Sequence, residues 1–160
     1  MWKAVDGGIV NKNVLNAALN VAPKKKDSRL RENKEATLFL FRYTDGLLGS
    51  VLMLPAYLGG ISVGVKLKSK RQPVATHFEE RLEPCHPHFA YLLKAIERMI
   101  HAERPAYPVE RTVLTTGVLD RALLSLSEDY RRLTTPELAI SYQPIDYLHA
   151  PHQDLSEDPR

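Results

Sequence analysis

The spacing of apolar side chains changes from helical to alternating early in the chain. Residues 11–21 carry apolar side chains at helical intervals, so we predict a helix there, capped by Asn11 or Asn13 and ended by Pro23. Residues 24–33 are charged and show no apolar period, which is typical of a linker. An amphipathic helix followed by a connection is therefore expected before the first strand.

Alternation with period two dominates the next part of the chain and predicts four strands, within residues 35–43, 47–55, 61–69 and 72–78. Asp45 and Gly46, which both tolerate positive φ, predict a hairpin between the first two strands. The third strand is expected to have one buried and one solvated face. The positions expected to face the interior are Ile61, Val63, Val65 and Leu67. Those expected to face the solvent are Ser62, Gly64, Lys66 and Lys68.

The helical period returns in the second half of the chain. Residues 89–101 place large apolar side chains on one stripe and charged side chains opposite, which predicts an amphipathic helix. A second helix is predicted within residues 107–130, with Pro108 in its first turn. Gly117 lowers the helical stability of its centre, so we expect a neighbouring element, either the sheet or a second domain, to approach closely there. Residues 135–142 are predicted to form a last strand.

Strands grouped together and helices grouped together predict an α+β fold, with an open, mostly antiparallel β-sheet and helices packed on one face. The length of 160 residues, with 44% hydrophobic and 26% charged residues, is ordinary for one soluble domain. We expect that domain to cover residues 1–144. Residues 145–160 are rich in proline and acidic residues and are expected to form a disordered tail.

The formal net charge is +3, and basic residues cluster within residues 24–31 and 66–71. No aromatic side chain lies among the lysines, so we interpret both clusters as a solvated loop and strand end, and expect no nucleic-acid partner. No run approaches the roughly 20 apolar residues that span a bilayer, and the first residues do not resemble a signal peptide. We therefore expect a cytoplasmic protein without a membrane partner.

The single cysteine, Cys85, lies in the sequence EPCHPH beside His86 and His88. Such neighbours could indicate a metal ligand or a nucleophile. A structural zinc site needs four ligands, however, and no second cluster with ligand spacing follows. We favour a loop that leads into the next helix, and we assign no metal site.

Candidate chemistry is sparse elsewhere. The chain has no glycine-rich nucleotide loop and no nucleophile elbow, so we assign no catalytic and no cofactor-binding residue. His77 could act as a general acid or base in a cleft, although a partly buried polar residue on a sheet is the more ordinary interpretation. Glu110 and Arg111 could bind a substrate, although the helix dipole alone favours a carboxylate in a first turn. His77, Glu110 and Arg111 are therefore our candidate substrate-binding residues.

One stretch resembles a known family. The sequence RPAYPVERTVLTTGVLD, residues 104–120, is similar to part of the C-terminal domain of bacterial glucose–fructose oxidoreductase/inositol dehydrogenase (Gfo/Idh/MocA) enzymes. WKAVDGG at residues 2–8, FRYTDGLLGSVLML at 41–54 and TPELAISYQP at 135–144 also look similar, in the same order. The resemblance extends to about Pro144.

The resemblance implies a partner for this chain. Enzymes of this family join an NAD(P)-binding Rossmann domain to a C-terminal α/β domain, which shapes the substrate site and makes oligomer contacts. The Rossmann glycines and the family's Glu-Lys-Pro motif, which carries the catalytic lysine, are absent from this sequence. We expect a truncated or split C-terminal domain, inactive alone, that forms a homo-oligomer through its sheet or joins a Rossmann-containing chain. The alternative is a non-enzymatic dimerisation or interaction module that uses the open sheet face.

Overall fold

The computed structural model describes residues 1–25, 29–78 and 89–145. The chain divides into two compact units, Met1–Glu80 and Arg81–Arg160. The expected loop around Cys85 and residues 146–160 of the tail expected at 145–160 lie outside the described residues.

Helices and antiparallel strands make up the described structure, which confirms the α+β fold class. The first unit contains α1 (Trp2–Asp6), α2 (Lys12–Val21), β1 (Thr37–Arg42), β2 (Leu48–Met53), β3 (Ile61–Val65) and β4 (Val74–Phe78), with a 3-10 turn at Leu30–Glu32. The second unit contains α3 (Phe89–Ala102), α4 (Val109–Ser127) and a 3-10 turn at Pro136–Leu138.

The four strands form two antiparallel hairpins, β1 with β2 and β3 with β4, as separate two-stranded sheets. The break between them follows Leu54, where Pro55 lacks a backbone N–H and Ala56 adopts a φ of 65°. Leu58 bridges back to Lys24. The open, antiparallel character of the sheet structure is thus confirmed, as two separate hairpins rather than one continuous sheet.

Helix α2 begins where the sequence predicts. The Asn11 side chain is the cap: its Oδ1 accepts hydrogen bonds from the backbone N–H of Asn13 at 3.0 Å and of Val14 at 3.2 Å. Leu15 and Leu19 of this helix are buried. They form the core of the first unit together with Val5, Val10 and Leu54.

The Asp45–Gly46 turn between β1 and β2 is also confirmed. Gly46 has a φ of 89°, and the Asp45 carboxylate accepts a hydrogen bond from the Leu47 N–H at 2.9 Å. The hairpin pairs Thr37 with Met53 and Arg42 with Leu48 at its two ends.

Arg31 ties α1 to the segment before β1. Its guanidinium donates two hydrogen bonds to the Asp6 carboxylate, at 2.9 and 3.0 Å, and lies 5.2 Å from the centre of the Trp2 ring. The hydrogen bonds from Arg31 lower the pKa of Asp6 below its usual range. A helix of five residues has little stability by itself, so these side-chain contacts and the burial of Val5 hold it in place.

The last predicted strand, residues 135–142, is wrong: the structure has a 3-10 turn there. Pro136 begins the turn, and the Leu138 N–H donates to the Thr135 carbonyl at 3.0 Å. A side chain explains the position of this turn, because a Cβ built on Gly117 of α4 would lie 2.4 Å from Leu138 Cδ2. The glycine of α4 therefore makes room for Leu138 rather than for a sheet or a second domain.

Candidate association surface

Helix α2 covers one face of the β3–β4 hairpin, and it is not the face that the sequence predicts. The covered face contains Ser62 and Gly64, and the Ser62 hydroxyl donates to the Ala18 carbonyl of α2 at 3.0 Å. A Cβ on Gly64 would lie 2.7 Å from the Val14 carbonyl oxygen. Only small side chains fit beneath a helix this close, so the prediction that Ile61, Val63 and Val65 face inwards is wrong.

The opposite face of the hairpin is apolar and exposed. We call it the uncovered face; its residues are Ile61, Val63, Val65, Val74 and Phe78. Each is between 40% and 58% exposed. The register places Ile61 opposite Phe78 and Val65 opposite Val74, and between these pairs Val63 lies opposite the exposed Thr76. An exposed and mainly apolar surface of this kind is typical of a protein–protein contact.

His77 belongs to the covered face. It pairs with Ser62 across the hairpin and is half-buried. Its Nε2 would lie 2.8 Å from a Cβ on Gly60, so the imidazole packs directly against that glycine. The packing agrees with the ordinary interpretation of a partly buried polar residue, and a role for His77 in substrate binding stays a prediction.

Glu110 and Arg111 are adjacent and exposed in the first turn of α4, in the second unit. The Arg111 guanidinium lies 4.5 Å from the centre of the Tyr107 ring, which fixes its direction by a cation–π contact. The structure thus brings Glu110 and Arg111 together, whereas His77 belongs to the first unit. Their role in substrate binding also stays a prediction.

The second unit exposes apolar side chains of its own. On α3 the residue that is buried is the small Ala95, whereas Leu93 and Ile100 are more than half exposed. On α4, Leu119 and Leu123 are also more than half exposed. The predicted amphipathic stripe of α3 therefore exists as a helix face, but much of it remains accessible.

Within the described ranges, no group of three or more His, Cys, Asp or Glu residues could hold a metal ion. No helix among those residues has both the length and the apolar character needed to cross a membrane. The sequence EPCHPH, the one motif with ligand-type neighbours, lies outside these ranges.

Comparison with known proteins gives no relative of this chain. No protein-family model matches it, and no curated protein or solved structure is significantly similar to it.

The sequence raises an open sheet face as a contact surface, but it does not identify the residues of the uncovered face, because large apolar side chains normally point to a core. The alternating small residues of the hairpin do indicate which face a helix covers, and hence which face stays uncovered. Ser62, Gly64 and Ala75 lie on one side of the hairpin, and they are what a closely packed helix requires.

Proposed function

We propose that this chain is an association domain that buries its uncovered face against a protein partner. The observation that carries the proposal is the apolar surface formed by β3 and β4, which α2 cannot cover because it already lies on the other side. Burying this surface removes five half-exposed apolar side chains from water, and that burial favours association.

The size of the effect fits a self-complementary contact. Full burial of such a side chain contributes roughly 1.5–3 kcal/mol, so five half-exposed ones contribute roughly 4–7 kcal/mol per copy. Association costs roughly 4–15 kcal/mol in lost freedom, so one face alone is marginal. Two such faces, packed about a two-fold axis, would together exceed the lower part of that range. A second copy of the chain is therefore the partner that we favour.

The parent activity is a further part of the proposal and rests on sequence resemblance. We infer that the domain belongs to an NAD(P)-dependent oxidoreductase of the Gfo/Idh/MocA type, in which it supplies substrate-side and oligomer contacts. A Rossmann domain, on a partner chain or elsewhere in the protein, would supply the nicotinamide nucleotide. The lone cysteine leaves no internal disulfide to maintain, and this favours a cytoplasmic location.

The alternative is a non-enzymatic interaction module with the same uncovered face. Upstream coding sequence and nucleotide binding distinguish the two. A G-x-G-x-x-G sequence encoded beside this chain favours the oxidoreductase, and its absence favours the module. Calorimetry with NADH on the isolated chain should show no binding, and tight binding would overturn our assignment of the cofactor to another domain.

Light scattering after size-exclusion chromatography tests the association. We expect a mass above the 18.1 kDa of one chain. Val63→Lys should shift the protein to monomer, because an ammonium group buried in an apolar contact costs several kcal/mol. Thr44→Lys, which adds the same charge in the exposed β1–β2 turn, is the matched control and should keep the wild-type mass. A monomeric wild-type protein, or equal masses for the two variants, contradicts the proposal.

A further inference from the structure

The loop between β3 and β4 concentrates positive charge. We call residues 66–71 the basic tip: Lys66, Lys68, Lys70 and Arg71 all lie in it and all are exposed. The sequence contains no Asp or Glu from Gly46 to Phe78. The cations therefore have no acidic neighbour along the chain that could neutralise them.

The loop is closed by its own hydrogen bonds. The Lys66 ammonium donates to the carbonyl oxygens of Leu67 and Lys70, and the Lys70 N–H donates to the Leu67 carbonyl at 3.2 Å. Within the parts of the chain that the structure describes, none of the four cations makes an ion pair. The tip therefore presents four uncompensated cations on a hydrogen-bonded turn.

An apolar side chain lies among these charges. Leu67, between Lys66 and Lys68, is 42% exposed. The headgroup region of an anionic bilayer suits this arrangement, because it offers phosphate groups to cations and an acyl boundary to a leucine. A nucleic acid would leave the leucine without an apolar partner, and residues 58–77 contain no Phe, Tyr or Trp on which bases could stack.

In contrast to the expectation from the sequence of a solvated strand end and no membrane partner, we propose that the basic tip docks the protein onto anionic lipid bilayers. The cations bind phosphate-bearing headgroups, and Leu67 enters the boundary between headgroups and acyl chains. Clusters that recognise anionic lipid contain four or more cations, so the four of the tip are at the lower end of that number. A dimer would present two tips to one bilayer and would gain affinity through avidity. The tip shares no residue with the uncovered face, so docking and association can fail independently.

Vesicle flotation with the full chain tests the docking. We expect the protein to float with vesicles of phosphatidylcholine that contain about one third phosphatidylglycerol at about 0.1 M salt, and to stay behind with pure phosphatidylcholine or at about 1 M salt. Lys68→Gln with Lys70→Gln should lower the partition coefficient about 30-fold, at about fivefold per cation. Leu67→Ala should lower it severalfold without changing its salt dependence.

The matched control is Lys3→Gln with Lys34→Gln, which removes the same charge at two exposed positions outside the tip. The control should bind vesicles as the wild type does, and circular dichroism should show that both double variants are folded. Three results overturn the proposal: no flotation of the wild type, equal losses for tip and control variants, or tip-dependent binding to a labelled RNA or DNA duplex that is tighter than binding to the vesicles.

Discussion

The close approach of α2 to β3 makes Gly64 intolerant of a larger side chain. A methyl group at residue 64 would lie 2.7 Å from the Val14 carbonyl oxygen and 3.2 Å from Ala18 Cβ. Both atoms belong to the helix body and cannot turn aside as a flexible side chain could. Gly64→Ala therefore forces α2 away from the hairpin, and overpacking of this kind costs about 1–3 kcal/mol.

An opposing effect must be subtracted. Replacing glycine by alanine stabilises a protein by about 0.4–1 kcal/mol, because the unfolded chain loses freedom. The net destabilisation expected for Gly64→Ala is therefore about 1–2 kcal/mol. In a unit of this size, that corresponds to a fall in melting temperature of about 5–15 °C.

Urea unfolding followed by tryptophan fluorescence measures this change, because the single tryptophan, Trp2, packs against the core of the first unit. Gly59→Ala is the matched control, since the nearest atom to its new methyl group would be the Pro23 carbonyl oxygen at 3.9 Å. We expect the control to be neutral or slightly stabilised. If Gly64→Ala is as stable as Gly59→Ala, the close helix–hairpin packing is refuted.

Two further predictions concern other contacts. Gly117→Ala should gain about 1 kcal/mol of helix propensity, but its methyl group should displace Leu138. Leu138→Ala should therefore lower the free energy of unfolding less in the Gly117→Ala background than in the wild type. Additive effects on the urea midpoint would contradict that coupling. Asp6→Asn should reduce the loss of unfolding free energy that the wild type shows at acidic pH. Because folding lowers the pKa of Asp6, its carboxylate stabilises the fold fully above the unfolded-state pKa, and this stabilisation is lost as pH falls through the folded-state pKa. Urea midpoints measured from about pH 5 to about pH 2 test this, and Arg31→Gln should produce the same reduction.

Local signals in the sequence were sufficient for several elements. Asn11 caps α2 because its side chain reaches N–H groups two and three residues on, and Gly46 forms its turn because glycine adopts positive φ freely. Both interactions lie within a few residues, so no knowledge of the rest of the fold is needed. The same holds for the helix from Val109, whose start follows Pro108.

The errors arose where distant residues decide the outcome. The orientation of β3 depends on α2, whose Ala18 lies 44 residues before Ser62 in the chain. That helix fits only over Ser62 and Gly64. The 3-10 turn in place of the last strand depends on the space that Gly117 leaves for Leu138. Alternation of apolar residues gives a period but does not say which side a helix will occupy.

Even-numbered and odd-numbered positions of β3 should respond differently to substitution, because they lie on opposite faces of the strand. Even-numbered positions lie under α2, where added volume should impair folding and leave any assembled protein with its normal stoichiometry. We expect odd-numbered positions to accept volume and even charge in the monomer, so under the proposed association a defect there is lost assembly in a folded chain. A mutational scan of five consecutive residues therefore contains its own internal comparison between folding and quaternary structure.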